Sequence, residues 1–201
     1  MLRFDETRLV SELKRLARSL RVLFAAACAE RQMASYCRFL RHSKREGSDP
    51  LISALEDVWS NPSKADEHEL QRQLTICMGI IPHEDLIQPW SEEATYAQNA
   101  AMSVAYALRA RISGEAQEAA WSARVAYESL DHFIISKTSI NTNLPGAEQR
   151  VVSHPVIQAE LSRQSRDIEE LFSVRENGLT EIANQFRHRA RAESRFFFSA
   201  P

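Results

Sequence analysis

Apolar residues recur at three- and four-residue intervals along nearly the whole chain, and nowhere do they alternate convincingly. A period near 3.6 is the mark of amphipathic helices, whereas a half-buried strand needs a period of two. Only five glycines and seven prolines interrupt 201 residues. Loop-rich β folds need many more turn residues, so the chain reads as all-α. The expected architecture is a single helical domain over 1–201, a bundle of about seven helices with a long C-terminal helix.

Capping signals divide the pattern. Asp5 opens a first helix with Leu9, Leu13, Leu16 and Leu20 on its apolar face. A second runs from about Leu20 to Leu40 and fades in the polar run RHSKREGS. Asp49-Pro50 pairs a cap with proline at the first helical position, and Asn61-Pro62 ends that third helix. Asp66-x-x-Glu69 has the form of a capping box and opens a fourth, closed by Pro82. Ser91 starts a fifth and Gly114 separates it from a sixth. Both are lined by alanines, which predicts a close antiparallel hairpin. Residues 137–153 read as an irregular loop. From His154-Pro155 one phase continues past Gly178 to Phe186, so a single long helix is expected there. The aperiodic tail 196–201 either docks on a groove or stays loose.

Charge is uneven although the net is −2. Residues 1–45 carry eleven Lys/Arg against four Asp/Glu, and residues 46–136 carry five against fifteen. A basic head can meet nucleic acid, but no aromatics interleave its arginines as stacking platforms. Pairing of head with acidic middle, within the chain or across a homodimer, is the preferred reading. The run RHRARAESR, Arg187 to Arg195, is read as a helix C-terminus complementing its dipole. No sequence-specific nucleic-acid binding is expected. No run of eighteen apolar residues occurs, so no membrane association is expected. The N-terminus lacks the form of a secretory signal. Cys28, Cys37 and Cys77 have no CxxC spacing and are read as reduced thiols of a cytoplasmic protein.

Chemical motifs are sparse. Glycine-rich phosphate loops, GxSxG, HExxH, EF-hand loops and the Glu-x-x-His pairs of di-iron bundles are missing, so no cofactor and no metal is expected. Arg124, Glu128 and His132 stand at i, i+4, i+8. They form either a carboxylate-polarised histidine or, preferably, a solvated ladder. The sharper feature is FAAACAERQMASYCRF, Phe24 to Phe39, where Glu30 and Arg31 interrupt an apolar helix. Glu30 lies about 20° from Leu23 and Cys37 on a helical wheel, towards the core, and Arg31 about 100° away, towards the polar side. A buried carboxylate needs a partner or a proton. An arginine of the C-terminal helix, or Tyr106 or Tyr127, is the expected donor to Glu30.

Phe24-x-Ala26, Glu30-Arg31, Tyr36 and Phe39 together resemble the signature of the YjaG-like proteins, domain of unknown function 416. Trp59, Ser113-Gly114-Glu115 and the Pro155 helix start extend the likeness from about Val22 to about Arg187. The chain departs from it at Ala34, where relatives carry proline. The resemblance implies an all-helical fold and a bacterial cytoplasmic setting, and it carries over no catalytic residues. The polar cluster Glu30, Arg31 and Tyr36 is the first site candidate. Arg124, Glu128 and His132 are the second. A non-catalytic protein-binding module is the favoured function. The alternative is an enzyme or small-ligand binder built on Glu30 in a bundle cleft.

Overall fold

A computed structural model describes all residues except 44–48, 64–65, 139, 175–177 and 199–201. Among the described residues it contains nine helices and no strand. They are α1 (Glu6–Lys14), α2 (Arg18–His42), α3 (Pro50–Ser60), α4 (Glu67–Ile80), α5 (Glu92–Ser113), α6 (Ala116–Lys137), α7 (Ala147–Val152), α8 (Pro155–Phe172) and α9 (Leu179–Ser194).

The starts follow the capping chemistry. Asp5, Asp49, Asp66 and Ser91 each accept a bond from the backbone N–H groups of the first turn they precede. Each satisfies donors that an uncapped helix leaves unpaired. Gly114 closes α5 in the left-handed conformation at φ 73°, and α6 begins two residues later. A Cβ there would be strained and would also press on the Arg18 side chain at 3.1 Å.

Helix α2 is the axis. It packs against α3, α5, α6, α8 and α9, and residues Val22 to Met33 are buried without a break. A helix apolar on all sides belongs in the centre of a bundle. The α5–α6 hairpin covers one flank through small residues. Across it Ser103 Oγ lies 2.6 Å from Ser122 Oγ, and Ser122 Oγ donates to the Ala25 carbonyl of α2 at 2.9 Å. At the start of α2, Arg21 donates to the carbonyls of Leu13 and Gly114, and Arg18 to those of Arg111 and Ile112. Two arginines therefore cap the C-terminal ends of α1 and α5.

Three expectations need correction. About seven helices become nine because α7 forms inside the expected 137–153 loop, and because the expected long C-terminal helix is two. The 3.6 phase survives from Ile157 to Phe186 since both helices bury an apolar face: Ile168 and Leu171 of α8 join Ala183 and Phe186 of α9 in the main core, while Ile157 and Leu161 of α8 pack in a second cluster with α6 and the tail. Helix α8 is capped at Ser173, and α9 starts after Gly178. Leu20 belongs to α2, since α1 stops at Lys14. The tail docks as far as it is described: Phe197 is buried, and Phe198 packs on Tyr96 and Phe133. The polar run after His42 lies largely outside the described residues.

Candidate functional site

Glu30 and Arg31 are both buried, and they point to different neighbours. Glu30 Oε2 accepts the indole N–H of Trp59 on α3 at 2.8 Å. Its Oε1 accepts Arg191 Nε of α9 at 2.9 Å. The expected donor from the C-terminal region is therefore Arg191, and Tyr106 and Tyr127 lie elsewhere. Tyr106 packs at a tilt against Trp121, and Tyr127 stacks on Phe4. Arg191 and Arg187 also pair with Glu56 on α3, so two carboxylates meet two arginines between α2, α3 and α9.

Arg31 overturns its expectation. It is 0% exposed, not solvent-facing. Nε and Nη2 both reach Glu160 Oε1, at 3.2 and 3.0 Å, and Nη1 donates to Asp167 Oδ2 at 2.7 Å. Asp167 Oδ1 accepts from Arg166 and Arg189, each at 2.9 Å. Arg189 reaches on to Glu170, Arg166 to Glu193, and Arg163 lies 3.6 Å from Glu160. Four guanidinium groups thus face four carboxylates. Burial by itself pulls the Arg31 guanidinium down, but Glu160 and Asp167 more than offset it and hold it well above its ordinary value. A permanent charge in the centre of a bundle is tolerable only when it is matched in this way.

The wheel misplaced Arg31 because it assumed that α2 has a solvent side. The signal was present: from Val22 to Ala29 that helix carries no polar residue on any side. Glu160, Gln164 and Asp167 are hidden in the sequence for the opposite reason. They recur at four and three residues in phase with Ile157, Leu161, Ile168 and Leu171, so a polar stripe lies on the buried arc of α8.

Tyr36 takes a third direction and donates to Asp49 Oδ2 at 2.9 Å, bracing the residue that caps α3. The second candidate separates. Arg124 pairs with Glu128 at 2.7 Å and with Glu6 at 3.2 Å, while His132 sets its ring against Tyr96 at 5.8 Å. Cys28 is packed beside Arg31, and burial pushes its thiol up, away from a reactive thiolate. Among the described residues no group of three or more His, Cys, Asp or Glu could hold a metal ion. No described helix is long and apolar enough to cross a membrane.

Among the described residues no Lys or Arg of the basic head forms an ion pair with an Asp or Glu of the acidic middle, and single members of each block pair with the C-terminal helices instead. Arg31 of the basic head meets acids of α8 and α9, and Glu56 of the acidic middle meets arginines of α9.

Residues 8–194 match a protein family described as "Protein of unknown function (DUF416)". The chain belongs to the DUF416 family. A crystal structure of a DUF416 family protein from Shewanella baltica OS155 superposes with a TM-score of 0.74 at 16% identity, covering 90% of this chain and 92% of that one. At that identity the likeness establishes the fold that this DUF416 chain shares. The comparison with curated proteins finds no match.

Proposed function

We propose that this DUF416 protein acts as one helical domain of the bacterial cytoplasm that binds another protein and carries out no catalysis. The observation that supports it is an apolar edge. Helix α4 packs on α3 and α5 and buries only Leu70 and Cys77. On α3 and α4 Ile52, Ile76 and Met78 stay exposed, and Leu86 in the following loop is 79% exposed. Apolar side chains left exposed on these neighbouring elements are the support for an interaction surface here, with Ile76 and Met78, two residues apart on α4, facing different ways. The alternative built on Glu30 loses support, because both of its oxygens already hold partners.

A second copy is one partner this edge can take. A homodimer formed through these apolar side chains is expected to rest on apolar contact and to survive added salt. Sequence-specific nucleic-acid binding stays excluded from the proposal, because Arg187, Arg189 and Arg191 face carboxylates. The test is capture from native extract with mass spectrometry, run beside Ile76→Glu and Leu86→Glu variants, and light scattering at tens of micromolar. A species retained by the wild type and lost by both variants supports the reading. Identical retention by all three chains, with a monomer throughout, overturns it.

A further inference from the structure

A cleft of about 200 Å³ opens between α2, the first turn of α5, the last turns of α6 and the docked tail. Three aromatic rings, Tyr96, Phe133 and Phe198, form its apolar part. Their centroids lie 4.7 Å apart for Tyr96 and Phe198, and 4.9 Å for Phe133 and Phe198. Burial raises the Tyr96 hydroxyl, so that ring stays a neutral phenol. Charge of both signs stands around the rings. Arg38 comes from α2, Lys137 from α6, and Glu92 and Glu93 from α5.

These charges are unequally engaged. Lys137 pairs with Glu92, and Glu93 holds His42 Nδ1 at 2.7 Å. Among the described residues Arg38 alone of the four forms no ion pair, although it shares the cleft with both glutamates. A guanidinium and a carboxylate thus line one small cleft without contacting each other. A purely anionic ligand would meet Glu92 and Glu93, and a purely cationic one would meet Arg38 and Lys137. The complement of both is a zwitterion with an apolar ring. A cavity of about 150 Å³ accommodates benzene, so the space suits one ring with a short polar head.

We propose that this cleft binds a free aromatic α-amino acid. Arg38 takes the carboxylate, Glu93 takes the ammonium on Oε1, the oxygen that His42 does not hold, and the side chain lies on the three rings. The site is separate from the α3–α4 edge and does not depend on the protein-binding reading.

Isothermal titration and ligand-observed NMR with L-phenylalanine, 3-phenylpropionate, phenethylamine and L-alanine test it. L-Phenylalanine is expected to bind saturably, and each analogue lacking one charge about tenfold or more weakly, the usual size of a lost charge-assisted bond. Arg38→Gln should remove the advantage over phenethylamine, and Glu93→Gln the advantage over 3-phenylpropionate. Both positions are solvent-facing enough that unchanged thermal melts are expected, which separates lost binding from lost folding. No saturable binding up to about 10 mM, a weak limit for a ligand of this size, overturns the proposal. So does 3-phenylpropionate or phenethylamine binding as tightly as L-phenylalanine, or L-phenylalanine binding unchanged in Arg38→Gln.

Discussion

Where α2 meets α5 and α6, the interior is built from fully buried alanines, with Ala25, Ala26 and Ala29 on α2, Ala100 and Ala101 on α5, and Ala119 and Ala120 on α6. Where the same helix meets α8 and α9, the interior holds Arg31, Glu160 and Asp167 at 0–1% exposure. Small side chains let two backbones approach closely, and on this flank the Ser103, Ser122 and Ala25 hydrogen bonds add polar contacts between the helices. An arginine with two fixed carboxylates is more demanding in geometry. The alanine flank therefore supplies close packing, and the ionic flank is expected to restrict how α8 and α9 dock. A buried ion cluster adds little net stability over an apolar core, and breaking it is costly.

Removing the centre of the ionic flank should give the largest effect. Arg31→Met leaves Glu160 and Asp167 buried without their shared donor, and a loss of roughly 3–5 kcal/mol is expected in chemical denaturation. Adding Glu160→Gln and Asp167→Asn should recover part of that loss, because neutral amides are cheaper to bury. If Arg31→Met alone unfolds at the wild-type denaturant midpoint, the ionic flank contributes nothing to docking.

On the alanine flank the sensitive change is the reverse one, from small to large. Ala101→Leu adds volume where α5 is fully buried, and overpacking of this kind costs about 1–3 kcal/mol. Ala101→Gly should cost about 1 kcal/mol through helix propensity, with no steric term. Equal losses from Leu and Gly would mean that the helices stand further apart than the contact implies.

Much of this comparison was legible in the sequence, but unevenly. Caps at Asp5, Asp49, Asp66 and Ser91, and the stop at Gly114, act within a few residues and can be read locally. The partner of Glu30 followed from energetics, since a buried carboxylate demands a donor and the C-terminal region is rich in arginine. What failed depended on tertiary context. Arg31 sat on a supposed polar side that α8 and α9 cover. The break between α8 and α9 was hidden because a core imposes the same periodicity on two helices as on one. Helix α7 has six residues, too few to show a period.

Glu30 touches both α3 and α9, and its loss should have an effect of intermediate size. Treated as a lone ion pair, Glu30→Leu should be nearly neutral, since a packed apolar side chain needs no partner. Trp59 changes that expectation, because its buried indole N–H would be stranded. A loss of about 1–2 kcal/mol is expected, in the lower part of the range for a stranded buried donor. Pairing Glu30→Leu with Trp59→Phe removes the donor as well and should be less harmful than the single change. Thermal melts of the four chains in this cycle measure the coupling, and strict additivity would show that the indole bond is worth nothing.

The smallest effect is expected at Glu118, a carboxylate near the alanine flank that is less deeply buried than Asp167 and differs from it in company. Asp167 has three arginines, whereas Glu118 has Arg109 alone at 2.9 Å, and its second oxygen is buried without a hydrogen-bond partner among the described residues. Arg109 is itself half-exposed and also lies over the Tyr106 and Trp121 rings. Burial raises the Glu118 carboxyl above its ordinary value, and Arg109 only partly opposes it. A raised carboxyl favours folding while it is protonated in both states. Its contribution is full below the unfolded value, and it is lost as pH rises through the folded one. Glu118→Gln removes this titration. The variant should therefore be at least as stable as the wild type near neutrality, and the gap should close as pH falls through the carboxylate range. Denaturant midpoints of the two chains between about pH 4 and pH 7 measure it. A wild type that instead gains on the variant as pH rises would mean that the single arginine outweighs burial, and Glu118 would then belong with the fully matched carboxylates around Arg31.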